Sequence, residues 1–431
     1  MTAQTSLVND LRSIVGSEHV RRPEEPPAAA PAFIVDGLLP QAIVQPGTYD
    51  EVAEVMRYAN EASLAVIPCG HGRMPDPGNV PRHYDIALSV ARLNQIIEYE
   101  PADLTMTCQA GATLGDLHAQ LSEAGQMTPF GLADNGACIG ALLARNRSHN
   151  LQYGSPRDYT IGMRVITAEG LITRAGRNVV KNVAGYDLCK LYVGSLGTLG
   201  VIVEASIKLV PLPQARQRVD LEFGKVSDAS TFAKEAHGRG LSLSAINLRR
   251  HTRKDAETAA IKGAHVLEME MSGGTVAVQR THREILQMSA TYGAQEFYAP
   301  DPPDDPGQAP SPGVDGPLQL EASVLPSFVP DLIDRFQRES LDNWVWWSSP
   351  VEGRVDARWN GLGADGEMVR RLRAHAADLG GTLIVTNCSL DLKRRIDVFG
   401  DPPPAFDLMR RIKEQFDPKG TLSPGRFVGR L

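Results

Sequence analysis

Near the start of the chain, a strand pattern and a helix pattern of apolar positions follow each other. Residues 41–44 form a short apolar run, and residues 52–59 carry apolar side chains at the spacing of one helix face. A second apolar run, 64–67, leads directly into two glycines separated by one residue, Gly70 and Gly72. The pattern predicts strand, helix, strand and then a glycine-bearing loop.

The next apolar stretches continue this alternation. Residues 104–109 alternate apolar and polar side chains, which is typical of a half-buried strand. Thr113 and Asp116 have the spacing of a helix N-cap and its partner, so we expect a helix to begin there. A strand pattern over 201–209 is ended by prolines, the second of which is Pro213.

Beyond residue 213 the order strand, helix, strand, strand, helix, strand occurs twice. The first set covers 219–223, 228–239, 241–248, 265–271, 276–292 and 295–298, and the second covers 318–324, 328–338, 344–347, 354–358, 365–379 and 382–386. Each set has the order of a ferredoxin-like β-α-β-β-α-β unit. The fold class we predict is therefore α+β, with two such units in tandem, which one continuous antiparallel sheet would accommodate.

These patterns divide the chain into three parts. We expect a first domain over 1–213, a cap over 214–399 and a C-terminal tail over 400–431. Residues 1–31 include a Pro- and Ala-rich stretch and are expected to be a flexible lead-in. Residues 300–317 hold seven prolines, which excludes regular structure and marks a spacer between the two halves of the cap.

Composition narrows the class of protein. The 431 residues carry a net charge of −7, so nucleic acid is not expected as the main partner. Five cysteines without a CxxC spacing argue against a disulfide scaffold, a zinc ribbon and a cysteine-ligated iron–sulfur cluster. The N-terminus lacks the pattern of a signal peptide, and no run of about 18 apolar residues occurs. We expect a cytoplasmic protein.

Three glycine-bearing segments are candidates for binding an anion. In the first, Gly70 and Gly72 allow successive N–H groups to form a nest, although a plain strand-end turn has the same short pattern. The Rossmann fingerprint fails because Pro75 occupies its third glycine position, and no Walker A motif is present.

The other two segments leave similar alternatives open. Residues 136–143 place small residues before a helical run, which suits either phosphate at a helix N-terminus or close helix packing. Residues 194–200 hold three glycines, which indicate close approach by a ligand or by another segment. Upstream, Lys181 could meet a ligand anion or pair with Asp187.

Four stretches carry a resemblance to known flavoproteins. Residues 43–72 (IVQPGTYDEVAEVMRYANEASLAVIPCGHG) resemble the opening of PCMH-type FAD-binding domains of the vanillyl-alcohol-oxidase superfamily. The closer resemblance is to FAD-binding subunits of glycolate oxidase (the GlcE type). Three stretches carry it: YGSPRDYTIGMRVITAEG, VVKNVAGYDLCKLYVGSLGTLGVIVEA and the tail RIDVFGDPPPAFDLMRRIKEQFDPKGTLSPGRFVGRL.

The resemblance implies FAD, with its pyrophosphate between the first glycine loop (68–74) and the second glycine loop (136–141). The implied contacts in the first glycine loop are Pro68, Cys69, Gly70, His71, Gly72, Arg73 and Met74. Those in the second glycine loop are Gly136, Ala137, Cys138, Ile139 and Gly140, and Asn146 and Ser148 follow it. The third glycine segment (194–200) and its continuation imply Gly200, Val201 and Ile202 along the flavin, with Asn182 and Arg426 as accessory contacts.

The first glycine loop departs from the family pattern, Pro-Arg-Gly-Gly-Gly-Thr-Lys. Cys69 removes a charge, His71 brings an imidazole into the nest, and Arg73 replaces a hydroxyl with a cation. Arg145 and the neighbouring Arg147 could compensate by pairing with phosphate. Relatives that carry flavin covalently on histidine have it one position later, where this chain has Gly72, so we expect non-covalent FAD.

Catalytic residues are not assigned by the sequence. Relatives that oxidise 2-hydroxy acids carry paired histidines around Gly-Asp-Gly-Asn, and this chain has none. The histidines that could act in catalysis or bind a metal are far apart in the sequence: His237, His251, His265 and His282. No metal site is predicted, because none of these pairs has the i, i+4 spacing of a helical ligand pair.

These observations favour an FAD-linked oxidoreductase of CH–OH groups that acts within a complex. The resemblance implies a second flavin subunit and an iron–sulfur subunit as partners, a small 2-hydroxy acid as substrate, and a location in the cytoplasm or peripheral to the inner membrane through those partners. Two alternatives remain open: a stand-alone FAD-linked dehydrogenase, and a structural subunit with a degenerate flavin pocket.

Overall fold

The computed structural model describes residues 3–25, 33–72, 78–130, 136–146, 151–176, 187–250, 265–297, 318–339, 343–361 and 363–431. The chain divides into two compact units. The first unit comprises Met1–Ser148, Ser155–Pro211 and Asp401–Leu431, and the second comprises His149–Gly154 and Leu212–Gly400. The C-terminal segment thus completes the first unit, although the whole second unit precedes it in sequence.

The first unit contains two larger sheets and one two-stranded sheet. Its strands are β1 (Val20–Arg21), β2 (Ala42–Val44), β3 (Val66–Cys69), β4 (Ile86–Ser89), β5 (Ile96–Glu100), β6 (Thr105–Gln109), β7 (Gln126–Met127), β8 (Thr160–Ile166), β9 (Ile172–Gly176), β10 (Val201–Lys208) and β11 (Val210–Pro211). The sheet orders are β1-β2-β4-β3, β5-β6-β10-β8-β9 and β11-β7. In the first sheet β2, β4 and β3 run parallel, whereas the second is antiparallel.

Two of the longer helices of the first unit begin at threonine caps. The helices of this unit are α1 (Ala3–Val15), α2 (Tyr49–Glu61), α3 (Leu114–Glu123), α4 (Ile139–Arg145), α5 (Pro156–Tyr159), α6 (Cys189–Tyr192) and, from the C-terminal segment, α12 (Phe406–Phe416). The hydroxyl of Thr48 accepts the N–H of Glu51 at 3.1 Å at the start of α2. Thr113 accepts the N–H of Asp116 at 3.1 Å at the start of α3, as its spacing predicts.

The N-terminal region departs from the flexible lead-in expected for 1–31. Within the described part of that range, α1 buries Leu7, Val8 and Leu11 in the core of the first unit. Strand β1 then pairs antiparallel with β2, with Val20 opposite Val44. The expectation was wrong here because the helical spacing of the apolar residues in α1 outweighs the Pro- and Ala-rich composition that follows it.

The second unit contains one continuous antiparallel sheet, as predicted. Its strands are β12 (Ala215–Phe223), β13 (Leu243–Arg250), β14 (His265–Gly273), β15 (Gln295–Phe297), β16 (Gln319–Ser323), β17 (Trp344–Ser349), β18 (Arg354–Trp359) and β19 (Thr382–Asn387). The order of the eight strands is β15-β12-β14-β13-β17-β18-β16-β19. Each half has the strand order of a ferredoxin-like unit, and the halves join where Leu248 of β13 pairs with Ser348 of β17.

Helices of the second unit are α7 (Val226–Gly238), α8 (Thr275–Tyr292), α9 (Val329–Glu339), α10 (Gly366–Asp378) and α11 (Leu390–Arg395). Their apolar faces and one face of the sheet form a single core. Phe336, Trp344 and Trp359 meet there, with ring centroids 5.0 and 5.1 Å from that of Trp344. The α+β fold class and the two tandem units predicted from the sequence are confirmed; the predicted spacer 300–317 lies outside the described residues.

Candidate functional site

A cleft in the first unit is formed by segments that are far apart in the sequence. The first and second glycine loops, the third glycine segment and the C-terminal segment all contribute to it. The described residues that line it are Phe33, Ile34, Val35, Ile67, Pro68, Cys69, Gly70, His71, Gly72, Tyr84, Val90, Gly136, Ala137, Cys138, Gly140, Ala141, Ala144, Arg145, Leu196, Gly197, Gly200, Val201, Ile202 and Arg426.

The first glycine loop continues from β3 and is held by hydrogen bonds from Ser89 and Val90. The hydroxyl of Ser89 donates to the carbonyl of Gly70 at 2.8 Å, and the N–H of Val90 donates to the carbonyl of Cys69 at 3.0 Å. Gly72 has a positive φ of 73°, which glycine adopts without strain. No acceptor is found for the N–H groups of His71 and Gly72 within the described ranges.

The imidazole of His71 is held by backbone. Its Nε2 lies 3.0 Å from the carbonyl oxygen of Gly111, 40 positions later in the chain. Because a carbonyl only accepts, this contact requires the proton on Nε2 and leaves Nδ1 as the second polar atom of the ring. The ring is therefore fixed on the wall of the cleft by a residue that local sequence does not indicate.

The second glycine loop uses its backbone donors differently. The N–H of Ile139 donates to the carbonyl of Ala112 at 3.0 Å, and that of Gly140 donates to the carbonyl of Ala110 at 2.7 Å. A Cβ built on Gly140 would lie 2.9 Å from the Cβ of Ala110. The sequence left open whether this segment binds a phosphate or packs closely against another segment. At Ile139 and Gly140 it packs closely, and their N–H groups are already used within the protein.

The two glycine loops touch each other at Gly70. A Cβ built on Gly70 would lie 2.3 Å from the Sγ of Cys138, so glycine is required there for the loops to come together. Burial raises the pKa of the Cys138 thiol, which keeps it protonated. Cys138 therefore contributes volume and a packing contact.

The third glycine segment forms an apolar wall. A Cβ on Gly200 would lie 2.4 Å from Cγ1 of Val165, so this glycine lets the chain approach β8 closely. Val201 and Ile202 follow at the start of β10, almost fully buried. Gly197 has a φ of 71° and lies beside Pro68 of the first glycine loop. The wall suits a flat apolar ring system.

The charge of the cleft is positive. Arg145 and Arg426 line it, and its described lining contains no Asp or Glu. Arg426 is only 5% exposed, and its carbonyl accepts the N–H of Asn79 at 2.9 Å, just after the first glycine loop. Guanidinium groups bind phosphate oxygens through paired, charge-assisted hydrogen bonds. Together with the donors of the first glycine loop, they suit a diphosphate.

Two predicted contacts are not brought to the cleft. Ile139 is fully buried in the core of the first unit. Asn146 ends α4 with a φ of 52°, and its side-chain oxygen accepts the N–H of Arg157 at 3.2 Å. A further four lie outside the described residues: Arg73, Met74, Ser148 and Asn182. Lys181, whose two possible partners the sequence left open, lies outside them as well.

Sequence reasoning missed part of the lining. The missed residues are Phe33, Ile34, Val35, Ile67, Tyr84, Val90, Ala144, Leu196 and Gly197. The apolar run 33–35 was a usable signal, because it follows a proline-rich stretch that could not itself form a core. Tyr84 gave no such signal: its hydroxyl donates to the carbonyl of Phe33 at 3.0 Å, across 51 positions of sequence.

Charged side chains on β12, β13 and β14 of the second unit pair with one another. Arg218 contacts Asp220 at 2.6 Å and Glu268 at 2.8 Å, and Arg249 contacts Glu268 at 2.7 Å. Burial raises the pKa of Asp220. Both guanidinium groups are thus occupied by carboxylates of the chain itself.

Neither a metal site nor a membrane-spanning helix is found among the described residues. No group of three or more His, Cys, Asp or Glu side chains among them is arranged to hold a metal ion. No helix in the described ranges is both long and apolar enough to cross a membrane.

Comparison with known families identifies the domains. Residues 40–176 match the family described as FAD binding domain, and residues 401–427 match the C-terminal domain of FAD linked oxidases. The first match includes both glycine loops and the second includes Arg426, whereas the third glycine segment lies outside both.

Curated relatives include several 2-hydroxy acid enzymes. D-2-hydroxyglutarate dehydrogenase of Xanthomonas citri is 37% identical over 177 residues, 40% of this chain and 38% of the relative. Glycolate oxidase subunit GlcD of Bacillus subtilis is 36% identical over 182 residues, 42% of this chain and 39% of the relative. These alignments thus span about two fifths of each relative. D-lactate dehydrogenase of Archaeoglobus fulgidus is 26% identical over 454 residues, 99% of this chain and 100% of the relative.

Solved structures share the fold. 4-Ethylphenol oxidase from Gulosibacter chungangensis superposes with a TM-score of 0.74 at 16% identity, over 99% of this chain and 97% of the other. p-Cresol methylhydroxylase has a TM-score of 0.74 at 17% identity, with the same coverage. At this level of identity the likeness establishes the fold alone.

The described residues fit FAD. Its flat aromatic ring system corresponds to the wall at Val201 and Ile202, and its diphosphate corresponds to the positive part of the cleft at Arg145 and Arg426. The N–H groups of the first glycine loop add donors without side-chain bulk.

Proposed function

We propose, on the premise that this chain is an FAD-binding protein of the PCMH type, that it is the FAD-binding subunit of a glycolate-oxidase-type complex. In this proposal the complex oxidises a 2-hydroxy acid, and the chain takes part in the two-electron oxidation and in the onward transfer of electrons. A second flavin subunit and an iron–sulfur subunit are its partners.

The chain's own residues bind and orient the cofactor. When bound, FAD accepts the two electrons that are released as a CH–OH group becomes a carbonyl. The first glycine loop and Arg426 would hold its diphosphate, and Val201 and Ile202 would exclude water from one side of its ring.

The observation that carries the subunit assignment is the pairing of charges in the second unit. Oxidation of a 2-hydroxy acid needs a cation for the carboxylate and a group that takes the hydroxyl proton. Arg218 and Arg249 are engaged by Asp220 and Glu268, so these two guanidinium groups already have carboxylate partners within the chain. Substrate chemistry on a partner accounts for this, and the similarity to a glycolate oxidase subunit supports it.

A stand-alone FAD-linked dehydrogenase is the second candidate. It is favoured by the alignment with D-lactate dehydrogenase, which extends over 99% of this chain and the whole of the relative. A structural subunit with a degenerate pocket is less favoured, because the cleft keeps two arginines and no carboxylate in its described lining.

Anaerobic flavin reduction distinguishes the two catalytic candidates. The purified chain, reconstituted with FAD, is mixed with glycolate, D-lactate or D-2-hydroxyglutarate, and loss of the oxidised flavin absorption is followed. The same mixtures are made with the chain co-purified with its partner subunits. We expect reduction only in the complex; dithionite, which reduces flavin without a substrate site, is the control. Reduction of the isolated chain by a hydroxy acid would favour the stand-alone enzyme instead.

A further inference from the structure

A lysine is buried in the first unit beside the cleft. Lys413 of α12 is 8% exposed, and its Nζ donates to the carbonyls of Thr198 and Leu422, both at 2.8 Å, and to Oδ2 of Asp417 at 2.5 Å. An ammonium group has three N–H donors, so all of them are used. Burial lowers the pKa of Lys413, and the neighbouring Asp417 opposes that effect.

Asp417 organises the turn that follows α12. Its Oδ1 accepts the N–H of Thr421 at 2.8 Å, and its Oδ2 accepts the N–H of Leu422 at 2.7 Å. The residue is 2% exposed. A buried ion pair is maintained only when its remaining hydrogen-bonding capacity is met, and here it is met by backbone of the same turn.

Both ends of this network lead to the cleft. Thr198 lies in the third glycine segment, two residues before Gly200. On the other side, the N–H of Val66 donates to the carbonyl of Thr421 at 2.8 Å, and the N–H of Ser423 donates to the carbonyl of Val66 at 2.9 Å. Val66 begins β3, which leads into the first glycine loop.

The C-terminal segment then continues to Arg426 on the cleft wall. The ammonium group therefore joins the third glycine segment to the C-terminal turn. That turn is hydrogen-bonded to the strand before the first glycine loop and continues to the buried arginine. Lys413 and Asp417 are themselves absent from the described lining of the cleft.

We propose that Lys413 and Asp417 are positioning residues for FAD: together they set the third glycine segment and Arg426 at the spacing that the cofactor requires. The pair acts through backbone carbonyls and N–H groups. The proposal rests on FAD binding alone and not on the proposed substrate or complex.

Titration of the apoprotein with FAD tests the proposal without any substrate. Lys413→Met keeps the length of the side chain but removes its ammonium group. The carbonyls of Thr198 and Leu422 and the carboxylate of Asp417 then lose the hydrogen bond from Nζ. We expect FAD affinity to fall at least about tenfold and the visible circular dichroism of the bound flavin to change at saturating FAD. Lys413→Arg, which restores a charged donor, should recover part of both. The matched control is Lys419→Met, in the same segment, where an exposed ammonium donates to the carbonyl of Asn60 at 3.0 Å.

If Lys413→Met does not fold, Asp417→Asn tests the positioning role instead. Asparagine keeps the volume of Asp417 and most of its hydrogen bonds. We expect weaker FAD binding in a chain whose far-ultraviolet circular dichroism is unchanged. The proposal is overturned if the variants that fold bind FAD with wild-type affinity and an unaltered flavin spectrum, and differ only in thermal midpoint. That result would leave the proposed function untouched, since the cofactor would still be bound.

Discussion

The two glycine loops of the first unit have similar compositions and differ in what their backbone does. In the first glycine loop, the N–H groups of His71 and Gly72 find no acceptor among the described residues. In the second, the N–H groups of Ile139 and Gly140 donate to carbonyls of the segment before α3. The N–H groups of Ile139 and Gly140 are thus used within the protein, whereas those of His71 and Gly72 have no acceptor in the part of the chain that the structure describes.

The glycines of the two loops therefore have different physical causes. In the second glycine loop the missing side chain lets α4 approach Ala110, and in the first it leaves room for Cys138 and for a positive φ at Gly72. The account therefore assigns diphosphate binding to the first glycine loop and the arginines, and packing to the second.

The largest effect is expected from Gly70→Ala, because the new Cβ would lie 2.3 Å from the Sγ of Cys138. Overpacking of this kind costs about 1–3 kcal/mol of unfolding free energy, and separation of the two loops should also weaken FAD binding. Denaturant unfolding and FAD titration measure the two effects. Adding Cys138→Ala removes the obstructing sulfur and should restore both; a double variant as impaired as the single one would show that the contact is not the cause.

Arg426→Gln should rank next, because it removes a buried charge from the diphosphate part of the cleft. Hydrogen bonds to a charged group contribute about 1.5–3 kcal/mol, so FAD affinity should fall by roughly tenfold to a hundredfold. Arg411→Gln, at an exposed position of α12, is the control. Equal affinities of the two variants in FAD titration would contradict the role given to Arg426.

Gly140→Ala tests whether the second glycine loop serves packing rather than FAD binding. Its Cβ would point at Ala110, 2.9 Å away, so the unfolding free energy should fall. Alanine's higher helix propensity, about 1 kcal/mol, offsets part of the overpacking cost, and we expect a net loss of about 1 kcal/mol. FAD affinity of the folded variant should stay within about twofold of wild type; a loss as large as that of Gly70→Ala would remove the distinction between the loops.

The smallest effect concerns thiol reactivity. Cys69 is half-buried on the cleft wall, whereas burial raises the pKa of Cys138 in the second glycine loop. We expect iodoacetamide to label Cys69 more slowly when FAD is bound and to leave Cys138 unlabelled in both states, as peptide mass spectrometry would report. Cys388 of the second unit serves as the reference for a rate independent of FAD. Equal labelling rates of Cys69 with and without FAD would show that bound FAD does not cover this residue.

The local sequence pattern was sufficient to predict the fold of the second unit. It predicted less of the first unit. The two ferredoxin-like units could be predicted because each strand and helix has its own periodicity and the order repeats. The contact of His71 with Gly111 and the hydrogen bond of Tyr84 to Phe33 could not, because they join residues 40 and 51 positions apart. Lys413 gave no signal at all: in sequence it is one more basic residue of an amphipathic helix, and only the returning C-terminal turn buries it.

The visible absorption spectrum of the purified chain, before and after acid precipitation, tests the central claim most directly. A diphosphate site built from the backbone of the first glycine loop and from arginines holds FAD without a covalent bond. We therefore expect a flavin spectrum that passes entirely into the supernatant. Flavin retained in the precipitate would contradict it and point to a covalent link at His71 or a nearby residue, and a chain that takes up no flavin on reconstitution would contradict the assignment of the cleft itself.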